Sequence, residues 1–124
     1  MQNITTPNAP AAIGPYSQAV VTGNMVYTSG QIPALPKNGE IVGEDIVTQA
    51  KQTCENVKAV LEAAGSDIRL VVKTTCYLTD MADFADFNHV YHKYFIHNPA
   101  RSCVAVKQLP RDVLCEIEAV AILG

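Results

Sequence analysis

Ile46, Ala50, Cys54, Val57, Leu61 and Ala64 recur at intervals of three and four residues, and no other feature of this 124-residue chain restricts its fold so much. Only an α-helix collects such positions into one stripe, and an apolar stripe must be buried against another surface. Asp45 stands where an N-cap would accept free N–H groups, and Gly65 where a C-cap would end the helix. A second stripe, Phe84, Phe87, Tyr91, Tyr94 and Phe95, follows Thr79-Asp80. Its first turn carries acidic residues, which suits the helix dipole.

The partner surface for both stripes is a sheet. Ala19 to Thr22 and Met25 to Ser29 flank Gly23-Asn24, a two-residue hairpin signal. Gly30-Gln31-Ile32-Pro33 breaks the second of these strands, and the stretch from Pro36 to Gly43 reads as a loop turning at Asn38-Gly39. Ile68 to Leu78 is rich in β-branched residues and predicts a long, largely buried strand. Residues 99–104 and 113–119 read as two further strands joined by a turn containing Leu109-Pro110. Residues 1–17, rich in Pro and Ala and ending in Gly14-Pro15-Tyr16-Ser17, predict an extended or looped arm.

The resulting order, β-β-α-β-α-β-β, is an α+β fold in a single domain covering residues 1–124. A mixed β-sheet carries two helices packed on one face, and its other face must also be covered. Charged residues make up 17% of the chain, against about 25% in an ordinary soluble domain, so other subunits are expected to cover part of the surface. Net charge is −3 and Lys and Arg form no run, which makes nucleic acid or an anionic membrane an unlikely partner. Cys54, Cys76, Cys103 and Cys115 form no CxxC pair and fall inside helix or strand patterns, so a reduced thiol is expected at each. The first residues carry no signal-peptide pattern, and no apolar run approaches the ~18 residues of a membrane span. The expected location is cytoplasmic.

Candidate chemistry concentrates in the last two strands. Alternation points Arg101 and Cys103 to one side, and puts Glu116 on a face with Leu114, Glu118 and Val120. Arg101 has two readings, a salt bridge to a neighbouring strand or a bidentate clamp for a ligand carboxylate. Either of Glu116 and Glu118 can be a solvated edge residue, with Glu116, nearer the turn, the better pocket candidate. Cys103 reads equally as core, with no histidine nearby in sequence to activate it. Ser29-Gly30 follows a strand end, where glycine lets a backbone N–H approach a ligand or simply makes a turn. Asn88 lies on the second helix at a position that is ordinarily solvated. His89, His92 and His97 match no tight metal-ligand spacing and read as surface residues.

Longer stretches carry a resemblance. Ala11-Ala12-Ile13-Gly14-Pro15-Tyr16-Ser17-Gln18-Ala19, Tyr27-Thr28-Ser29-Gly30-Gln31-Ile32-Pro33, Val72-Lys73-Thr74-Thr75, Asp83-Phe84-Ala85, Pro99-Ala100-Arg101-Ser102-Cys103-Val104 and Glu116-Ile117-Glu118-Ala119 resemble the RidA (YjgF) family of enamine/imine deaminases. The resemblance runs from about residue 5 to the C-terminus. It implies a chorismate-mutase-like homotrimer, sheets inward and helices outward, with clefts between subunits. The implied roles are Arg101 on the substrate carboxylate, Glu116 positioning water, Ser29 and the Gly30 backbone lining the site, Tyr16 and Asn88 shaping it, and Cys103 as a wall. The implied reaction is hydrolysis of 2-aminoacrylate, 2-iminopropanoate or 2-iminobutanoate to 2-keto acids and ammonia, with no metal or organic cofactor. Two other readings stay open: a non-enzymatic 2-keto-acid-binding or protein-protective module, and a translation inhibitor with ribonuclease activity. If Arg101 and Glu116 serve one site from one chain, their strands must pair as a hairpin with partner numbers summing to an odd value.

Overall fold

A computed structural model describes residues 1–124. Six strands, β1 (Gln2–Ile4), β2 (Ala19–Thr22), β3 (Met25–Thr28), β4 (Val71–Leu78), β5 (Ala100–Ala105) and β6 (Cys115–Ile122), form one sheet in the order β1-β2-β3-β6-β4-β5. Two helices, α1 (Ile46–Ala63) and α2 (Phe84–Tyr94), lie on one face. The expected α+β architecture is therefore present, with a mixed sheet in which only β4 and β5 run parallel. No helix is long and apolar enough to cross a membrane.

Local signals act as the sequence predicts. Asp45 caps α1 by accepting the Thr48 N–H at 2.9 Å. Gly65 stands one residue beyond the cap Ala64, with φ +87°; Ser66 N–H donates to Leu61 and Gly65 N–H to Glu62. That pair of bonds is a Schellman closure, and it needs the left-handed residue that glycine supplies. The β2–β3 turn pairs Thr22 with Met25 around Gly23 at φ +58°. The α1 stripe is buried at Ile46, Ala50, Cys54, Val57 and Leu61, against Phe87, Tyr91 and Phe95 of the second stripe and Ile117, Ala119 and Ala121 of β6. All four cysteines are free thiols, three of them buried.

Three expectations need correction. The arm contributes a short edge strand, β1, that pairs with β2. The stretch read as one strand from Ile68 begins as a 3-10 turn (Ile68–Leu70), and β4 is buried on one side only, at Val71, Thr74, Cys76 and Leu78. Val72 is an extra residue in the pairing with β6, so the strand bulges there.

The third correction governs the site: β5 and β6 are not a hairpin. β4, α2 and β5 make a parallel β-α-β unit, which places β5 at the sheet edge beside β4. The segment after β5 then crosses the end of β4, where Val106 N–H donates to Leu78 at 2.7 Å and Thr79 N–H to Leu114 at 3.2 Å. β6 finally pairs with β4 from the other side. Thr74 thus stands between Arg101 and Ala119, and Tyr77 opposite Glu116. Arg101 and Cys103 share the helix-covered face with Thr74 and Cys76, while Glu116 and Glu118 project from the opposite one. Val20, Tyr27 and Val120 lie side by side on that second face, which no element of the chain covers.

Candidate active site

Around Arg101 the edge strand and α2 build a cation seat. One guanidinium N–H donates to Asn88 Oδ1 at 2.7 Å, and the plane lies 4.8 Å from the Tyr91 ring centre and 5.5 Å from that of Phe84. Asn88 and Tyr91 are three residues apart and so share a helix face. The Tyr91 hydroxyl is tied to Thr74 Oγ1 at 2.7 Å, which stops the ring from turning away. No carboxylate of the chain pairs with Arg101; the single ion pair joins Arg69 to Asp67. The guanidinium instead borders a cleft of about 310 Å³ with Asn88, Tyr91 and Pro99. Of the two readings of Arg101, the intramolecular salt bridge is absent.

Cys103 lies two residues along the same strand, in register with Cys76. The Cys76 thiol alongside, then the nearby Arg101 charge, hold the Cys103 thiol below its ordinary pKa, while Cys76 is pushed up. Of the histidines, His92 lines this cleft, while His97 spends its ring Nε2 on the Val71 carbonyl at 2.8 Å.

The other predicted residues gather elsewhere. Gln31 and Ile117 exchange backbone hydrogen bonds at 2.8 and 3.1 Å, which brings Gly30 against Glu116. The approach is so close that a Cβ on residue 30 would sit 1.8 Å from Glu116 Oε2. Only glycine leaves that volume to the carboxylate. Burial raises the Glu116 pKa above its ordinary value, and repulsion from Glu118 adds to the effect. Tyr77 donates to Glu118 Oε1 at 2.6 Å, and that bond, with burial, pushes the phenol up to about 12. Ser29 gives its hydroxyl to the Ser17 carbonyl at 2.5 Å, so it ties the arm to the β3 end. Tyr16 and Gly30 border a cleft of about 510 Å³ that also reaches Ile32, Pro110 and Arg111.

The seven predicted residues therefore form two groups on opposite faces, Arg101–Asn88–Cys103 and Tyr16–Ser29–Gly30–Glu116. Neither group has both a free cation and the carboxylate. Because β4 stands between their strands, Arg101 and Glu116 of one chain do not meet, and the one-chain hairpin arrangement does not occur.

Comparison with known proteins gives the lineage. Residues 6–123 match the family described as Endoribonuclease L-PSP. The chain is 54% identical to the 2-iminobutanoate/2-iminopropanoate deaminase of Escherichia coli K12, covering 98% of this chain and 97% of that protein. It belongs to the RidA (YjgF)/L-PSP family. Its fold is that of the family's solved members. The E. coli YjgF gene product aligns with TM-score 0.94 at 51% identity over 98% of both chains. E. coli TdcF with bound serine aligns with TM-score 0.95 at 48% identity, covering 100% of each.

Reading by family motif missed two residues that border these clefts. Tyr91 reads from the sequence as part of the apolar stripe, and its spacing from Asn88 is the available signal. Gln18 is buried beside Tyr16. It accepts the Thr6 N–H at 2.7 Å and donates to the Thr6, Ala9 and Pro10 carbonyls, which fixes the arm. Its signal was a long amide next to an apolar strand.

Proposed function

We propose that this protein hydrolyses small 2-imino acids to 2-keto acids and ammonia, as a homotrimer whose sites lie between copies. The observation that carries the reading is the Arg101 guanidinium, oriented by its bond to Asn88, backed by aromatic rings and without a carboxylate partner in its chain. A planar guanidinium so held matches a carboxylate bidentately. The named activity of the E. coli relative supports imine chemistry, and serine, bound by TdcF, is a three-carbon acid of the same headgroup. Assembly is supported by the edge position of β5, the uncovered Val20–Tyr27–Val120 face and the low charge of the chain. The number three comes from the family resemblance.

In this reading Arg101 of one copy holds the substrate carboxylate, with the Cys103 side chain as a wall. Gly30 and Glu116 of a second copy close over the reacting carbon, and Tyr16 and Ser29 border them. An enamine first takes a proton at its terminal carbon and becomes the iminium ion, whose carbon is already electrophilic. Water held by Glu116 adds to that carbon while the carboxylate takes a proton from it. The proton passes to nitrogen, the C–N bond breaks as Glu116 takes the remaining hydroxyl proton and the C=O of the keto acid forms, and the departing ammonia carries that proton off as ammonium. One imine and one water give one keto acid and one ammonia. A half-buried carboxylate with raised proton affinity is a better base for this step than a solvated one, and such help is worth roughly 10²–10⁴-fold. No covalent nucleophile or electron sink is called for.

The test generates imino acids in situ with an amino-acid oxidase or a pyridoxal-phosphate dehydratase and follows keto-acid release with and without the protein. Acceleration that disappears in Arg101→Ala is the expected result. A parent protein that leaves imine decay at its rate in water overturns the reading.

A further inference from the structure

We propose that Asn56 and Gln49 of α1 are positioning residues that set the approach of Gly30 to Glu116. This deepens the function proposed above and rests on those two residues being its acid–base half. Both amides lie on the buried side of the helix, where Thr53 is the one other polar residue, and they are 1% and 4% exposed. A buried amide costs stability unless its hydrogen bonds are made, so an apolar residue would serve packing alone better. Their bonds go to two particular backbones. Asn56 Nδ2 donates to the Ile32 carbonyl at 2.9 Å and the Ala34 carbonyl at 2.8 Å, while its Oδ1 accepts from Gln52 at 2.9 Å. Gln49 Oε1 accepts the Leu114 N–H at 2.8 Å, and its Nε2 donates to the Gly43 carbonyl at 3.1 Å.

Ile32 is two residues past Gly30, and Leu114 is two residues before Glu116. Between these anchors stands the Gln31–Ile117 bridge. The contact is thus held at three points, two of them side chains of one rigid helix. Ile32–Ala34 lies outside any named strand and pairs through the single Ala34–Ile41 bridge, so the Asn56 amide adds two hydrogen bonds to a stretch with little ladder of its own. The tolerance is small because the carboxylate occupies the volume of a missing Cβ. A displacement of about 1 Å at such a site costs on the order of 10²-fold in rate.

Asn56→Leu keeps the branched shape while removing both donors, and Gln49→Leu releases the other backbone. Each variant is first checked for assembly by sedimentation and for folding by thermal melting. Three quantities are then read: kcat and KM on an imino acid, inhibition by pyruvate, and the titration of the Glu116 carboxyl by ¹³C NMR, assigned with Glu116→Gln. Glu116 faces Glu118 on its own strand, Tyr77 on β4, and uncharged Val106, Gln108 and Leu109 from the crossing segment. None of these is altered by either substitution.

The expected outcome is kcat lower by about 10- to 100-fold, with KM and pyruvate inhibition within about twofold because Arg101 is untouched. The Glu116 midpoint moves down toward that of a solvated glutamate as the carboxylate regains water. A folded variant with unchanged kcat and an unchanged midpoint overturns the proposal. The titration needs no turnover, so a parent without deaminase activity would defeat the proposed function while the midpoint still decides this one. If Asn56→Leu fails to assemble, Gln49→Leu decides by the same readings.

Discussion

Mixing two dead variants tests the division of the site between copies. Arg101→Ala removes the proposed carboxylate clamp, and loss of such a charge-assisted contact costs about 2–5 kcal/mol, or roughly 30- to 4,000-fold in rate. Glu116→Gln keeps the shape beside Gly30 but cannot accept a proton, a loss of roughly 10²–10⁴-fold. Each homotrimer is therefore expected to be nearly inactive. The two chains are co-expressed with different affinity tags, and trimers holding both tags are isolated. Arg101 and Glu116 lie on opposite faces of one sheet, so in the proposed ring each site takes one of them from each of two neighbouring copies. Any mixed trimer, whichever variant is in excess, then has one intact pairing among three sites. Activity should return to about one third of the parent's, per trimer. A ring of two would return about one half. Recovery no greater than the sum of the two homotrimers would mean that every site draws both residues from one chain, and the reasoning from strand order would fail.

Gly30→Ala should lower kcat by at least 10²-fold with little change in thermal stability, since its Cβ displaces the Glu116 carboxylate, not the core; near-parental kcat would show that the close approach has no part in turnover. Because burial raises the Glu116 pKa in the folded chain, the folded state binds this proton more tightly than the unfolded one. Its contribution to stability is therefore present at acidic pH and lost as pH rises through the folded value. Glu116→Gln should accordingly melt higher than the parent at pH 7, with the difference vanishing below the ordinary glutamate range; a lower melting temperature at pH 7 would contradict the sign. Cys103→Ser should keep most of the activity, and complete loss in a folded trimer, or an adduct on the thiol by mass spectrometry, would replace the wall role with a covalent one. Gln18→Ala leaves the Thr6 N–H and three carbonyls without their partner, and should cost about 2–4 kcal/mol and expose residues 5–10 to proteolysis; an unchanged melting temperature would show that the arm is held by other contacts.

The sequence by itself determined what is encoded within a few residues. The α1 stripe, its Asp45 cap and Gly65 closure, the Gly23-Asn24 turn, and the shared side of Arg101 and Cys103 all follow from helix and strand periods acting locally. Family motifs added the identity of the candidate site residues, though not their arrangement. Tertiary structure decided the rest. Which strand pairs with which is a contest among segments far apart in the chain, and here the crossover through α2 placed β5 beside β4 and sent β6 to the other side. That choice put Arg101 and Glu116 on opposite faces, which no reading of alternation within either strand could yield. The same holds for Asn56 and Gln49: their helix was legible from its apolar neighbours, but the carbonyls and N–H they hold come from loops whose positions exist only once the sheet has formed.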